Sequence, residues 1–248
     1  MGEGGRRLVL PHETLPKRRP RPDTLCGVEQ ASCTLPYTAL RSAPAGDAKQ
    51  VTQALFADPL DVRARDNGWA EVEVADGHSG WIAADALGER LAKDRAHVVV
   101  VPQAADRYLG TWLVAPGLRT EPLAAARRKA GGEAIAEAAL MFLGAPYEWG
   151  GVTVHGIDCS GLVQAVHRRF GQLLPHNAEH QAAAGREVSL RQARPGDLLC
   201  YGDHIAIWTG EGRIVHASAD AGSVVEEAHP AHLQARLLTV RRLYEAED

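Results

Sequence analysis

The spacing of apolar positions changes along this chain. From Tyr37 to Leu87 they fall in short runs, LRSAP, VTQALFAD, LDVRARDNGWAEVEV and ADGHSGWIAADAL, separated by turn residues. Val72 and Val74 alternate with Glu71 and Glu73, the period of a half-buried strand, while Asp66-Asn67-Gly68 and Asp76-Gly77 are hairpin turn signals. Short strands at this spacing predict a small all-β barrel over residues 36–88.

After Gly131 the period lengthens. In EAIAEAALMFLG, Ile135, Ala138, Ala139 and Phe142 recur at helical spacing until Gly144 and Pro146 stop the run. A second amphipathic stretch carries Leu162, Val163, Val166 and Phe170, and the runs from His204 to Trp208 and from Ile214 to Ala217 alternate as strands. Helices mixed with hairpin-connected strands predict an α+β domain over residues 129–248.

Two stretches lack a clear pattern. Residues 1–35, rich in Pro, Arg and polar groups, read as an N-terminal extension without a core of its own. Residues 89–128 contain the strand-like runs HVVVV and TWLVAPG but are too short for a complete barrel. They form either an abbreviated second barrel or a linker.

The glycine-rich segment GAPYEWGGVTVHGIDCSGLVQAVHRRFG places Cys159 at a helix start, with Asp158 suited to the cap and Gly171 to the helix end. First-turn amides and the helix dipole favour an anion, so this position is expected to lower a thiol pKa from its ordinary value. Taken alone, a cysteine there is more often a buried structural thiol than a nucleophile, and a nucleophile needs a base. His204 and His216 supply candidates on adjacent strands. A three-residue loop of Gly210, Glu211 and Gly212 sets Ala206 opposite His216 and His204 diagonally on the same face, whereas a two-residue turn puts the histidines on opposite faces. On the first register His204 takes the Cys159 proton and His216 holds the imidazole tautomer.

Composition narrows the alternatives. The formal net charge is -4 over 248 residues, which gives no basic field for nucleic acid. Lys17, Arg18, Arg19 and Arg21, set among prolines, read as solvated coil. No run approaches the ~20 apolar residues that span a bilayer, so no membrane insertion is expected. Only Leu8, Val9 and Leu10 stand where a signal peptide has its apolar segment, so the chain as written is expected in the cytoplasm, or in the periplasm or outside the cell if it is a processed form. Of the four cysteines, Cys26 and Cys33 are near enough in sequence to pair under oxidising conditions; otherwise all four are expected reduced. Neither a CxxC pair nor an HExxH helix is present, which gives no support for zinc.

In order, GAPYEWGG, GIDCSGLVQ, RPGDLL, DHIAIWTG and RIVHAS resemble the motifs of the NlpC-type papain-like cell-wall cysteine peptidases over roughly 100 residues. GWAEVEV and DGHSGWI resemble the paired Gly-Trp strands of bacterial Src-homology-3-like domains. The resemblance implies a papain-like catalytic domain, helices packed on an antiparallel sheet, behind an N-terminal barrel. It implies Cys159 as nucleophile, His204 as base and His216 as third member, with Tyr147 near the oxyanion and Asp158 and Ser160 binding the substrate's amino end and γ-D-glutamyl portion. The implied reaction is hydrolysis between γ-D-glutamate and meso-diaminopimelate or lysine in peptidoglycan stem peptides, without a cofactor. A barrel closing one end of the cleft implies short peptides with a free N-terminal L-alanine.

Two departures from the family pattern stand out. Pro175-His176-Asn177 ahead of Gln181 replaces a Pro-Arg followed by a small hydroxyl residue, and His78-Ser79 occupies the place where related barrels often carry an aromatic residue. Rival readings are an amidase or acyltransferase acting on a non-wall substrate, and a catalytically idle wall-binding module.

Overall fold

The computed structural model describes residues 29–91, 96–113, 116–117 and 119–244. The start of the chain, the basic cluster at 17–21 and Cys26 lie outside the described residues, and with them the expectations of a missing signal peptide, of a solvated basic coil and of a Cys26–Cys33 pairing.

Seven strands come first: β1 (Glu29–Cys33), β2 (Tyr37–Arg41), β3 (Gln50–Leu55), β4 (Pro59–Asp66), β5 (Trp69–Val74), β6 (Ser79–Ala83) and β7 (Leu87–Glu89). They form one antiparallel sheet in the order β3-β2-β6-β5-β4-β1-β7. Ala54 at one end of this order and Cys33 near the other share a single apolar cluster with Leu40, Leu60, Val72 and Ile82, so the sheet curls around its own core. Because β1 buries Ala31 and Cys33 in that core, residues 29–33 belong to the barrel and not to an extension without a core. Asn67 and Gly68 both take positive φ (43° and 85°), the geometry of a tight two-residue hairpin turn, and Val72 and Val74 point inward as their alternation predicts.

The connecting stretch holds β8 (His97–Val99), β9 (Gln103–Ala104), β10 (Arg107–Tyr108), β11 (Trp112–Leu113) and β12 (Thr120–Pro122), in a three-stranded sheet β11-β8-β12 and a two-stranded β9-β10 ladder. Helix α1 (Leu123–Arg128) packs Leu123 and Ala126 on Val98.

The last part contains α2 (Gly132–Leu140), β13 (Val152–Thr153), β14 (Gly156–Ile157), α3 (Cys159–Arg169), α4 (Ala178–Ala182), β15 (Arg186–Val188), β16 (Leu198–Cys200), β17 (Ile205–Gly210), β18 (Arg213–Ser218), β19 (Ser223–Ala228), α5 (Ala231–Gln234) and β20 (Thr239–Arg242). Six of its strands make an antiparallel sheet in the order β15-β20-β16-β17-β18-β19. Helices α2 and α3 cover one face, with Ile135, Ala138, Ala139, Phe142, Leu162, Val163, Val166 and Phe170 against Leu198, Ile205, Ile207, Val215 and Ala217. The opposite face buries Leu199, Ala206, Ile214 and Val240 with Leu233 of α5. The fold is α+β behind an all-β N-terminal part.

A buried cross-link ties the parts together at the C-terminal end of α3. The Arg168 guanidinium holds both carboxylate oxygens of Asp58 in the connection between β3 and β4, Nη1 reaching Oδ2 at 2.9 Å, and its Nε donates to Gly110 O at 2.8 Å. Trp112 Nε1 donates to Arg168 O at 3.0 Å. Among the described residues no helix is long and apolar enough to cross a membrane.

Candidate active site

Asp158 has extended backbone, caps α3, and accepts from the Gly161 amide at 2.7 Å through Oδ1, so Cys159 begins the helix. The turn before it closes tightly: a Cβ on Gly161 would lie 2.0 Å from Gly151 O, leaving room only for glycine. Asp158 Oδ1 also accepts from Ser160 Oγ (3.1 Å) and lies 2.9 Å from His176 Nε2, while Oδ2 accepts from the Gly150 amide at 2.7 Å. Burial alone would raise this carboxyl's pKa, but His176 and the two amides hold it below its ordinary value. His176 Nδ1 in turn lies 2.6 Å from Thr52 Oγ1 of β3.

His204 lies immediately before β17, and its Nε2 is 2.8 Å from His216 Nδ1 on β18. The turn is not the three-residue loop that brings these rings together in the simplest register. Glu211 and Gly212 alone connect the strands, both at positive φ (51° and 74°), and the ladder shifts between Trp208 and Gly210. That bulge at Thr209 supplies the extra residue, so Ile207 pairs with Val215 and both histidines share a face. The Tyr201 ring stacks on His204 at 5.8 Å and 22°, restricting the imidazole. His204 Nδ1 has no hydrogen-bond partner among the described residues.

Cys159, His204, His216, Tyr147, Asp158 and Ser160 all line one open cleft of about 1070 Å³. The curled sheet contributes Val51 to its wall, and Gln50 Nε2 donates to Trp149 O at 2.9 Å beside it. Cys159 is 8 % exposed; burial and the Asp158 carboxylate push its thiol up to about 12, against the lowering expected from the helix start. The amides of Ile205, Ser160 and Cys159 act the other way, but desolvation outweighs them. Burial and the neighbouring His216 pull His204 down to about 4. At neutral pH the unliganded site therefore holds a thiol and a neutral imidazole. Burial, followed by the charges on Cys159 and Asp158, pushes Tyr147 up to about 12, so its hydroxyl remains a donor.

Glu227 carries no mark in the sequence, and His176, visible there only as a departure from the family pattern, has contacts that the sequence does not foretell. Glu227 on β19 sits 2.9 Å from His216 Nε2, and His176 is locked between Asp158 and Thr52 rather than presented to the cleft as a free side chain. Glu227 was detectable from alternation in SVVEEA once Val225 is set opposite His216. The His176 contacts join residues distant in sequence and have no local signal.

Residues 144–242 match the NlpC/P60 family, and residues 40–87 match the bacterial dipeptidyl-peptidase Sh3 domain. The chain carries an NlpC/P60 domain behind a bacterial Src-homology-3-like domain. Over 94 residues, 36% of this chain and 24% of the relative, it is 43% identical to "Probable endopeptidase Rv2190c" of Mycobacterium tuberculosis. Over 142 residues it is 30% identical to the gamma-D-glutamyl-L-lysine dipeptidyl-peptidase of Bacillus subtilis, covering 54% of this chain and 45% of that protein. The chain thus spans less than half the length of either curated relative. An NlpC/P60 family protein from Bacillus cereus superimposes with a TM-score of 0.73 at 18% identity, covering 87% of this chain and 99% of that one, and shares the fold.

Proposed function

We propose that this protein is a cysteine peptidase that hydrolyses the bond between γ-D-glutamate and a diamino acid, meso-diaminopimelate or lysine, in peptidoglycan stem peptides. The observation that carries the reading is the convergence of Cys159, His204 and His216 in one cleft, with the two imidazoles hydrogen-bonded. The similarity to a gamma-D-glutamyl-L-lysine dipeptidyl-peptidase supports the choice of bond.

His204 takes the thiol proton on Nδ1 as Cys159 Sγ attacks the carbonyl carbon of the γ-glutamyl amide. Both groups start neutral, so proton transfer accompanies attack rather than preceding it. The Cys159 amide and the Tyr147 hydroxyl stabilise the oxyanion, a contribution of ~3 kcal/mol per donor. The His204 imidazolium then protonates the leaving amine, and the neutral ring activates the water that releases the acyl group.

Asp158 already has four internal partners, about as many as a carboxylate accepts, so it acts on substrate chiefly through its charge. Ser160 Oγ is the member of that cluster that can also accept a hydrogen bond from a ligand amine while it donates to Asp158. The side chains that the Src-homology-3-like domain places at the cleft, Val51 in its wall and Thr52 and Gln50 behind it, favour short peptides with a free N-terminal L-alanine, as arise in cell-wall turnover or recycling.

The test compares L-Ala-γ-D-Glu-diaminopimelate with the same peptide carrying N-acetylmuramate on its alanine. The free-amine peptide is expected to be cleaved with a kcat/KM at least ~10-fold higher, one lost charge-assisted contact being worth about that factor. Equal rates would remove the free-amine requirement. Loss of turnover in both Cys159→Ala and His204→Ala supports the assigned roles, and retention in either overturns them.

A further inference from the structure

Strand β19 pairs with β18 so that Val225 stands opposite His216, which sets Glu227, two residues on, diagonally beside it on the same face. Its Oε1 lies 2.9 Å from His216 Nε2, completing a continuous row: His204 Nε2 to His216 Nδ1, then His216 Nε2 to Glu227. We propose that Glu227 is a positioning residue that fixes the tautomers of both histidines and so leaves His204 Nδ1 free to act as base. The inference rests on the peptidase reading of the same cleft.

An ionised carboxylate only accepts hydrogen bonds, so His216 must carry a proton on Nε2. In neutral His216 the other nitrogen, Nδ1, is then a lone pair and can only accept. His204 must in consequence donate to it through Nε2–H, and neutral His204 keeps its lone pair on Nδ1. That is the nitrogen the reaction requires.

Without the carboxylate the imidazole pair has two arrangements with one hydrogen bond each. In the second, His216 Nδ1–H donates to His204 Nε2, and His204 carries its own proton on Nδ1, where it cannot receive one from Cys159. Glu227 removes this degeneracy. During attack the thiol proton moves from Sγ to His204 Nδ1, and the resulting imidazolium donates through His216 toward the Glu227 charge, which stabilises it.

Other charged groups do not substitute for it. Glu226 is engaged by Thr209 and Arg213, and Asp203, beside His204, pairs with Arg236. Asp158 is held by its internal partners on the Cys159 side. The Glu227 side chain is 43% exposed, so solvent screens its charge and its effect should fall well short of a buried orienting carboxylate.

Histidine-labelled protein carrying Cys159→Ala, with and without Glu227→Ala, is examined by long-range proton–nitrogen NMR, which distinguishes imidazole tautomers. The structure predicts Nε2–H on both His204 and His216 with Glu227 present, and a substantial Nδ1–H population on His204 in Glu227→Ala. In otherwise intact enzyme, Glu227→Ala should lower kcat about 10-fold with KM little changed, a fraction of the loss that a wrong tautomer causes when the orienting group is buried and adjacent. Glu227→Gln, whose carbonyl oxygen can accept the same bond, should recover most of that loss, and Glu227→Ala should add nothing in a His216→Ala background. Unchanged tautomers in Glu227→Ala, or equal losses from Gln and Ala, would overturn the proposal. The NMR arm needs no turnover, so absence of stem-peptide hydrolysis in wild-type protein counts against the peptidase reading alone.

Discussion

His204 Nε2 and His216 Nδ1 meet at 2.8 Å across the diagonal of a hairpin, in a register that exists because β17 bulges between Trp208 and Gly210. On the proposed mechanism His216 orients the base without entering the covalent steps. His216→Ala should therefore lower kcat by roughly 10²- to 10⁴-fold while substrate affinity changes little. Steady-state kinetics on the free stem peptide measure this, and an unchanged kcat would remove His216 from the machinery.

The Cys159 thiol is pushed up to about 12, so the unliganded enzyme holds little thiolate at neutral pH. A thiol with a raised pKa ionises only as pH climbs toward that value. Alkylation of Cys159 by iodoacetamide in substrate-free protein should rise about tenfold per pH unit from 7 to 10, following the thiolate fraction. Peptide mapping separates Cys159 from Cys26, Cys33 and Cys200. A rate that reaches its plateau below pH 7 would show a preformed thiolate and reverse the order of proton transfer.

Asp58 and Arg168 form a buried pair that links the Src-homology-3-like domain to the helix carrying Cys159 at its other end. Removing one partner leaves the other charge buried and uncompensated, at a cost of about 3 to 5 kcal/mol. Asp58→Ala and Arg168→Ala should each destabilise by that amount in chemical denaturation, and the double variant by much less than their sum. Additive losses would mean that the pair does not act as a unit.

Gly161 sits where a methyl group would meet the Gly151 carbonyl oxygen, in the turn that seats Cys159. The obstacle is backbone, so Gly161→Ala must shift either the helix start or the glycine loop. Overpacking of this kind costs about 1 to 3 kcal/mol or more, and on the proposed mechanism activity should fall further than stability because Cys159 moves with the backbone. Thermal melts beside kinetics test this, full activity being the contrary result.

Much of this architecture was legible in the chain. Alternation around Val72 and Val74, the Asn67-Gly68 turn, and the helical recurrence of Ile135, Ala138, Ala139 and Phe142 are local signals that packing preserves. The order of Cys159, His204 and His216 likewise pointed to one site. What stayed hidden depends on tertiary context. The Cys159 thiol shifts opposite to the direction a helix start predicts, because the helix start is visible in sequence, whereas the burial that outweighs it comes from elements folded over the cysteine. The Thr209 bulge decided the histidine register without a residue-level signal, and His176 reaches Thr52 across 124 positions. Glu227 could be placed only after β18 and β19 had a register.

The most direct measurement is mass spectrometry of the products from L-Ala-γ-D-Glu-diaminopimelate incubated with wild-type and Cys159→Ala protein. The account predicts L-Ala-D-Glu and free diaminopimelate from the wild type and intact peptide from the variant. Cleavage at another bond, or unchanged cleavage by Cys159→Ala, would contradict it.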